Sequence, residues 1–340
     1  MSEPHAGPIL DVRDLRVEIP LSRGTVHAVD GASFSVGAGE ALGLVGESGC
    51  GKTMSLRAVL GLLPRPGVIT GGQVLFRGED LVTASRARMG KVRGRSISII
   101  FQEPMTALNP VMRVGDQIAE GPRVQLGQRR SEARQTALSL MRRVGIPDAE
   151  RRMRAYPHEL SGGMRQRVMI AIALACEPQL ILCDEPTTAL DVTIQDQILK
   201  LLLSLRRDMG VSVILVTHDL AVVAETCDRL AVMYAGEVVE TGTVDEVFRQ
   251  PRHPYTLGLL RSVPDFDTVR SELDSIPGQP PDLTDPPDGC RFAARCPFVR
   301  EDCRQGRFPL RPLGGGRATA CIHPDAAAAS VAADPVVADA

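Results

Sequence analysis

GESGCGKT, Gly46–Thr53, stands between the short apolar run Ala41–Val45 and the stretch Thr53–Leu63, whose apolar residues recur at helical spacing until Pro64 stops them. Strand, glycine loop and helix form the context in which the pattern G-x-x-x-x-G-K-[ST] carries weight. Small residues let backbone N–H groups wrap a phosphate, and a helix beginning near Gly51 aims the positive end of its dipole at that anion. Gly46, Glu47, Ser48, Gly49, Cys50 and Gly51 are therefore the expected cradle. Lys52 is placed to reach the β- and γ-phosphates of a nucleotide, and the Thr53 hydroxyl to sit on magnesium. A glycine turn with a chance lysine is the bland alternative, and it leaves the flanking elements unexplained.

Downstream, LILCDEP, Leu180–Pro186, is an apolar strand that delivers two acids at its end, the place where α/β sheets bind ligands. Asp184 is the expected magnesium-holding acid. Glu185 is placed to orient or deprotonate an attacking water. Ile97–Phe101 and Val213–Val216 are further short apolar runs separated by helical patterns, as a parallel sheet with crossovers requires. Ahead of the loop, Leu10–Ile19 and Val26–Val36 alternate as antiparallel strands around a turn at Arg23 and Gly24. From Glu103 to Leu160, helical patterns at Val114–Leu126 and Ser131–Val144 predict an inserted helical subdomain. After Gln250 the chain turns proline-rich and cysteine-bearing. The expected organisation is a nucleotide-binding domain over 1–250 with its helical insert at about 103–160, an extension over 251–325 and a flexible alanine-rich tail over 326–340.

Composition excludes more than it names. With a net charge of -2, the 340-residue chain has no global attraction to nucleic acid or to an anionic membrane, so any such contact is local. The arginines at Arg129–Arg130 and Arg151–Arg154 lack interleaved aromatics and read as solvated helix faces; no nucleic-acid partner is expected. Met1–Pro8 has no apolar run behind a basic segment, and no apolar stretch approaches the roughly 20 residues of a membrane-spanning helix. A cytoplasmic location is expected.

LSGGMRQR, Leu160–Arg167, resembles the signature motif of ABC ATPases. Physically it is a second anion site, with a hydroxyl, two glycines and a helix N-terminus but no lysine. The resemblance implies an α/β fold, with a P-loop NTPase (RecA-like) core, an N-terminal antiparallel β subdomain, the helical insert and a small cysteine-rich C-terminal extension. It also implies that Ser161, Gly162, Gly163 and Gln166 act on the nucleotide of a facing subunit, so that ATP is sandwiched in a head-to-tail dimer. Gln102 in IIFQEP resembles the Q-loop, with a part in sensing magnesium and the attacking water. Asp191 resembles the D-loop, and His218 in VTHD the switch histidine that bonds the γ-phosphate. At the position where the family commonly stacks an aromatic on adenine, this chain has Arg23, which reads either as a guanidinium plane stacked on the base or as a solvated turn arginine.

HPYTLGLL, His253–Leu260, followed by GCRFAARCPF and ACIHP, resembles the C-terminal extension of dipeptide, oligopeptide and nickel importer ATPases. That resemblance implies a second, related ATPase subunit, two transmembrane permease subunits and an extracytoplasmic solute-binding protein as partners, with this chain peripheral on the cytoplasmic face of the membrane. Peptide is the expected cargo, with nickel, glutathione and opines as alternatives. A soluble ABC ATPase working on nucleic acid and a non-hydrolysing scaffold are the competing classes. Cys290, Cys296, Cys303 and Cys321, separated by five, six and seventeen residues, lie in a loop-rich segment that needs a staple. In a reducing compartment such thiols suit tetrahedral zinc or an iron–sulfur cluster. The resemblance favours [4Fe-4S].

Overall fold

The computed structural model describes residues 7–22, 24–187, 191–262 and 275–332. They form two compact units. The first takes the chain up to Val36, then Ala41–Val82, then everything from Val216 onward; the second takes Gly37–Glu40 and Thr83–Leu215.

In the first unit, strands Leu10–Leu21 and Gly24–Val36 pair antiparallel, with Val12 opposite Phe34 and Ile19 opposite Val26. Both run further toward the connecting turn than alternation alone predicts. Val12, Leu15, Val17, Ala32 and Val36 fill the buried face. A third strand, Val68–Phe76, lies along the other side of Leu10–Leu21. The sequence reading passes over this strand because Gly71 and Gly72 interrupt its alternation; Gly72 has a φ of 85°.

Strand Ala41–Val45 is buried throughout and pairs in parallel with Arg229–Tyr234, Val45 lying beside Val232. Arg229–Tyr234 turns back through Ala235 and Gly236, both at positive φ, into the antiparallel strand Glu237–Thr243. Strand Arg317–Thr319 of the cysteine-rich extension then pairs with that strand, Glu240 opposite Thr319, and Arg311–Gly314 pairs beyond it. The extension expected to begin at 251 therefore does not fold apart; it continues a sheet of the first unit. Tyr234, Tyr255 and Phe292 seal the join. Their rings are fully buried with centroids 4.5 to 5.4 Å apart, in a core shared with Leu220, Val223, Leu230 and Val232.

A buried ion pair fixes the start of the extension. Glu240, fully shielded from solvent, accepts from Arg317 at 2.9 Å and from the backbone N–H groups of Arg252 and His253 at 2.8 Å each. His253 caps helix Pro254–Arg261, its Nδ1 accepting from the Tyr255 N–H at 3.1 Å. The tail expected to be weakly structured begins as helix Pro324–Ala332, and Ala327 packs against Leu257 and Phe298. Alanine is the strongest helix former and Pro324 suits the first helical position, so a run with no amphipathic pattern still folds. Residues 333–340 lie outside the described residues.

In the second unit, strands Ile97–Ile100 and Leu180–Asp184 pair in parallel, and Ser212–Thr217 is the next neighbour of Leu180–Asp184. The predicted helical insert consists of Pro104–Ala107, Val114–Gln125, Arg130–Arg143 and Ala149–Arg152, with no strand among the described residues of 103–160. Helix Gly162–Leu174 follows, then Val192–Met209, which Gly210 ends at a φ of 62°. No helix among the described residues is long and apolar enough to cross a membrane.

Burial pushes the His253 imidazole down to about 3. It is therefore neutral in the fold, whereas the unfolded chain takes up a proton below about pH 6.5. Stability from this group is complete above that pH and falls as pH drops from 6.5 toward 3, at up to about 1.4 kcal/mol per pH unit. Urea unfolding at pH 7 and pH 5 is expected to show this loss, and His253→Asn, which keeps a capping acceptor, to flatten it. An unchanged slope in the variant would assign the pH dependence elsewhere.

Candidate functional site

The phosphate loop is built by close approach. Gly46 has a φ of 151° and Gly51 a φ of 106°. A Cβ at Gly46 would overlap the carbonyl oxygen of Met233, and one at Gly51 that of Ala28. Glycine is obligatory at both positions, because the loop wraps against neighbouring strands with no room for a side chain. Helix Lys52–Val59 begins at Gly51 without a side-chain cap, which leaves its first N–H groups turned to the loop. Lys52 is only 5% exposed, and its ammonium donates to the carbonyl oxygens of Gly46 at 2.8 Å and Glu47 at 2.9 Å. Two backbone carbonyls thus hold one cation inside the glycine loop. Cys50 is buried beside that lysine, and burial raises its thiol above the usual range.

The second unit carries the acids. Asp184 ends its strand at 1% exposure, and Glu185 follows with a φ of 45°, the left-handed region that costs a residue with a side chain roughly 1–3 kcal/mol. That turn brings the Glu185 carboxylate to Gln102, whose Nε2 donates to Oε2 at 3.1 Å across 83 residues of sequence. Strain is thereby stored at a carboxylate that stands next to an amide. In the same unit Ser161 caps helix Gly162–Leu174, its hydroxyl accepting from the Met164 N–H at 3.4 Å. Gln166, buried on that helix, has an Nε2 with no acceptor among the described residues. Asp191 caps helix Val192–Met209 by accepting from the Ile194 N–H at 2.9 Å. A Cβ at Gly163 would press on Ile194.

His218 belongs to the first unit, exposed directly after strand Ser212–Thr217, and the next residue, Asp219, caps helix Leu220–Thr226. Gly46–Thr53 and His218 thus stand in one unit, and Gln102, Ser161, Gln166, Asp184, Glu185 and Asp191 in the other. Arg23 lies outside the described residues.

Cys290, Cys296, Cys303 and Cys321 line one cavity with Phe292, Phe298, Phe308 and Ile322. Burial pushes the thiols of Cys290 and Cys321 up to about 11, and their mutual proximity adds to it. The Cys290 N–H donates to the Cys303 carbonyl at 2.8 Å, tying two of the segments together. Beside Cys303, Asp302 bonds His323 Nε2 at 3.0 Å. Asp302, Cys303 and His323 bring ligand atoms within 4.8 Å of one another; no three of the four thiols approach so closely.

Two residues at the phosphate loop escape the sequence reading. Tyr255 and Arg295 both contact Glu47. The first lies in the quoted HPYTLGLL, but nothing local names a partner 208 residues away.

Comparison with known proteins identifies the family. Residues 29–188 match the ABC transporter family model, and residues 239–303 match that of the oligopeptide/dipeptide transporter C-terminal region. The chain is 51% identical to a probable peptide ABC transporter ATP-binding protein, y4tR, of Sinorhizobium fredii, covering 94% of this chain and 96% of the relative. It is 52% identical to the dipeptide transport ATP-binding protein DppD of Bacillus subtilis, over 85% of this chain and 87% of that protein. For the oligopeptide transport ATP-binding protein OppD of Salmonella typhimurium the identity is 47%, over 94% and 95%. The dimeric post-hydrolysis structure of the ATP-binding cassette MJ0796, bound to ADP and Pi, superposes with a TM-score of 0.62 at 26% identity, covering 69% of this chain and 98% of the cassette. With phosphate loop, strand-end acids, signature helix and HPY extension in place, the chain belongs to the ABC transporter ATP-binding proteins, in the branch that carries the oligopeptide/dipeptide C-terminal region.

Proposed function

We propose that this chain is the ATP-hydrolysing subunit of a peptide importer, and that its complete catalytic site forms at a dimer of ATPase subunits. The observations that carry the reading are the glycine-wrapped, lysine-filled phosphate loop in one unit and, in the other, the strained Glu185 held by Gln102. In this reading Gly46–Thr53 bind the phosphates, Lys52 leaves its carbonyl partners for the β- and γ-phosphates, and Thr53 with Asp184 holds magnesium. Gln102 orients Glu185 and senses the metal, and Glu185 takes the proton of the attacking water. His218 bonds the γ-phosphate. Ser161, Gly162, Gly163 and Gln166 serve the nucleotide of the facing subunit, with Asp191 beside them. Peptide is the cargo named for the relatives at about half identity over most of the chain. Two permease subunits, a solute-binding protein and a paralogous ATPase complete the importer, and the chain sits peripherally on the cytoplasmic face of the membrane.

Glu185→Gln keeps the contact to Gln102 but removes the base. ATP turnover is expected to fall by at least a hundredfold, with equilibrium ATP binding retained. Undiminished hydrolysis would sink the role given to Glu185.

The four cysteines fit a polynuclear cluster better than a single ion. Tetrahedral zinc, with bonds of about 2.3 Å, draws its sulfurs to within about 4 Å of one another, closer than any three of these thiols stand. Apolar walls around four thiols suit a group that excludes water; burial raises the thiols, so the bound group would itself supply the positive charge that holds them as thiolates. We infer that Cys290, Cys296, Cys303 and Cys321 hold a [4Fe-4S] cluster, which when bound supplies a structural staple. Anaerobically purified protein is expected to contain about four irons per chain, lost on Cys290→Ser; stoichiometric zinc without iron would contradict the assignment.

A further inference from the structure

Glu47, the second residue of the phosphate loop, is gripped on every polar group it has. Its N–H donates to the Tyr255 hydroxyl at 2.8 Å, its carbonyl accepts from Lys52 at 2.9 Å, and its carboxylate takes two hydrogen bonds from Arg295, at 2.7 and 2.9 Å. An exposed pair of this kind contributes little. This one is different, because the Arg295 side chain is only 4% exposed and its remaining donors are also used. Nε donates to the Pro277 carbonyl at 2.9 Å and Nη2 to that of Ile276 at 3.1 Å, while the guanidinium lies 5.8 Å from the centre of the Tyr234 ring and 6.0 Å from that of Phe292. A planar fork held on both sides, making a bidentate carboxylate contact, fixes position rather than merely charge.

Charge matters as well. Glu47 places a carboxylate beside a loop built for a polyanion, where an uncompensated negative charge opposes binding. Arg295 neutralises it. Arg295 also ends the turn Ala293–Arg295 and directly precedes Cys296, and its ring neighbour Phe292 lines the same cavity as the four thiols. One side of the guanidinium is therefore set by the cysteine segment and the other by the phosphate loop.

We propose that Arg295 is a positioning residue for nucleotide binding that acts chiefly by holding and neutralising the Glu47 carboxylate, which would otherwise oppose the phosphates. With Tyr255 it locks Glu47, so that the Gly46 and Glu47 carbonyls present Lys52, and it transmits disturbance of the cysteine segment to the phosphate loop. The proposal rests on the reading of Gly46–Thr53 as the phosphate site.

Equilibrium binding of ATP without magnesium, together with the KM and kcat of turnover, tests it. Arg295→Gln is expected to weaken ATP binding about tenfold, raising KM while kcat at saturation stays within about twofold. Adding Glu47→Gln to that variant removes the stranded charge and is expected to recover most of the lost affinity. A double variant as weak as Arg295→Gln or weaker would reduce Arg295 to a packing residue and overturn the proposal. Cys296→Ser is expected to weaken ATP binding in the native background and to add nothing on top of Arg295→Gln; additive losses would cut the link to the cysteine segment. Should Arg295→Gln fail to fold, Tyr255→Phe keeps the buried ring and removes only the acceptor of the Glu47 N–H, and unaltered ATP affinity in that variant would overturn the locking of Glu47. Lys52→Ala separates the two readings. If it leaves ATP binding intact, the phosphate site itself is misassigned; if it abolishes binding while Arg295→Gln binds normally, only the present proposal falls.

Discussion

A loop that must wrap an anion with backbone alone has no space to spare, and the glycines at Gly46 and Gly51 press their α-carbons against the carbonyls of Met233 and Ala28. Everything around the loop follows from that closeness. The strand before it, Ala41–Val45, is buried along its whole length and held by the parallel pairing with Arg229–Tyr234. That partner strand supplies Met233 to limit the loop and Tyr234 to anchor the extension. A backbone cradle is accurate only if its walls do not move, and here the walls are β-sheet.

Charge is handled in the first unit by burying ions in company. Arg291 joins Asp30 and Glu237, Arg16 joins Asp30, Arg317 joins Glu240, and Arg295 joins Glu47. Desolvating the pairs buried on both sides, Arg291–Asp30 and Arg317–Glu240, gains little net stability, but breaking one leaves a buried charge that costs about 3–5 kcal/mol. Each pair therefore acts as a register pin. Three of these arginines come from the C-terminal extension and reach acids on the strands and loop of the nucleotide-binding part. An appendage joined in this way is part of the machine's frame, which agrees with its strands continuing the sheet.

Local chemistry was legible in the sequence and distant chemistry was not. Gly46–Thr53 and Asp184 with Glu185 are contiguous strings whose meaning depends on their immediate neighbours, and the helical insert shows its period within single elements. Strand Val68–Phe76 hides behind a glycine pair, and helix Pro324–Ala332 hides because alanine supplies propensity without amphipathic pattern. The resemblance names Gln102 and Glu185 separately, and their contact across 83 residues leaves no local trace. The contacts of Tyr255 and Arg295 with Glu47 span 208 and 248 residues and leave no local trace. What the cysteine spacing suggested as a separate staple turns out to lie one residue from a side chain that holds the phosphate loop.

Under the proposed division of labour, with phosphate loop and acids for one nucleotide and the signature helix for another, hydrolysis is a property of two chains. The most direct measurement is steady-state ATP turnover per chain at saturating MgATP as protein concentration is varied. Turnover per chain that climbs with concentration and levels off as dimers form is the expected result. Turnover per chain that stays constant down to the most dilute protein would mean that one chain suffices, and would contradict the shared site.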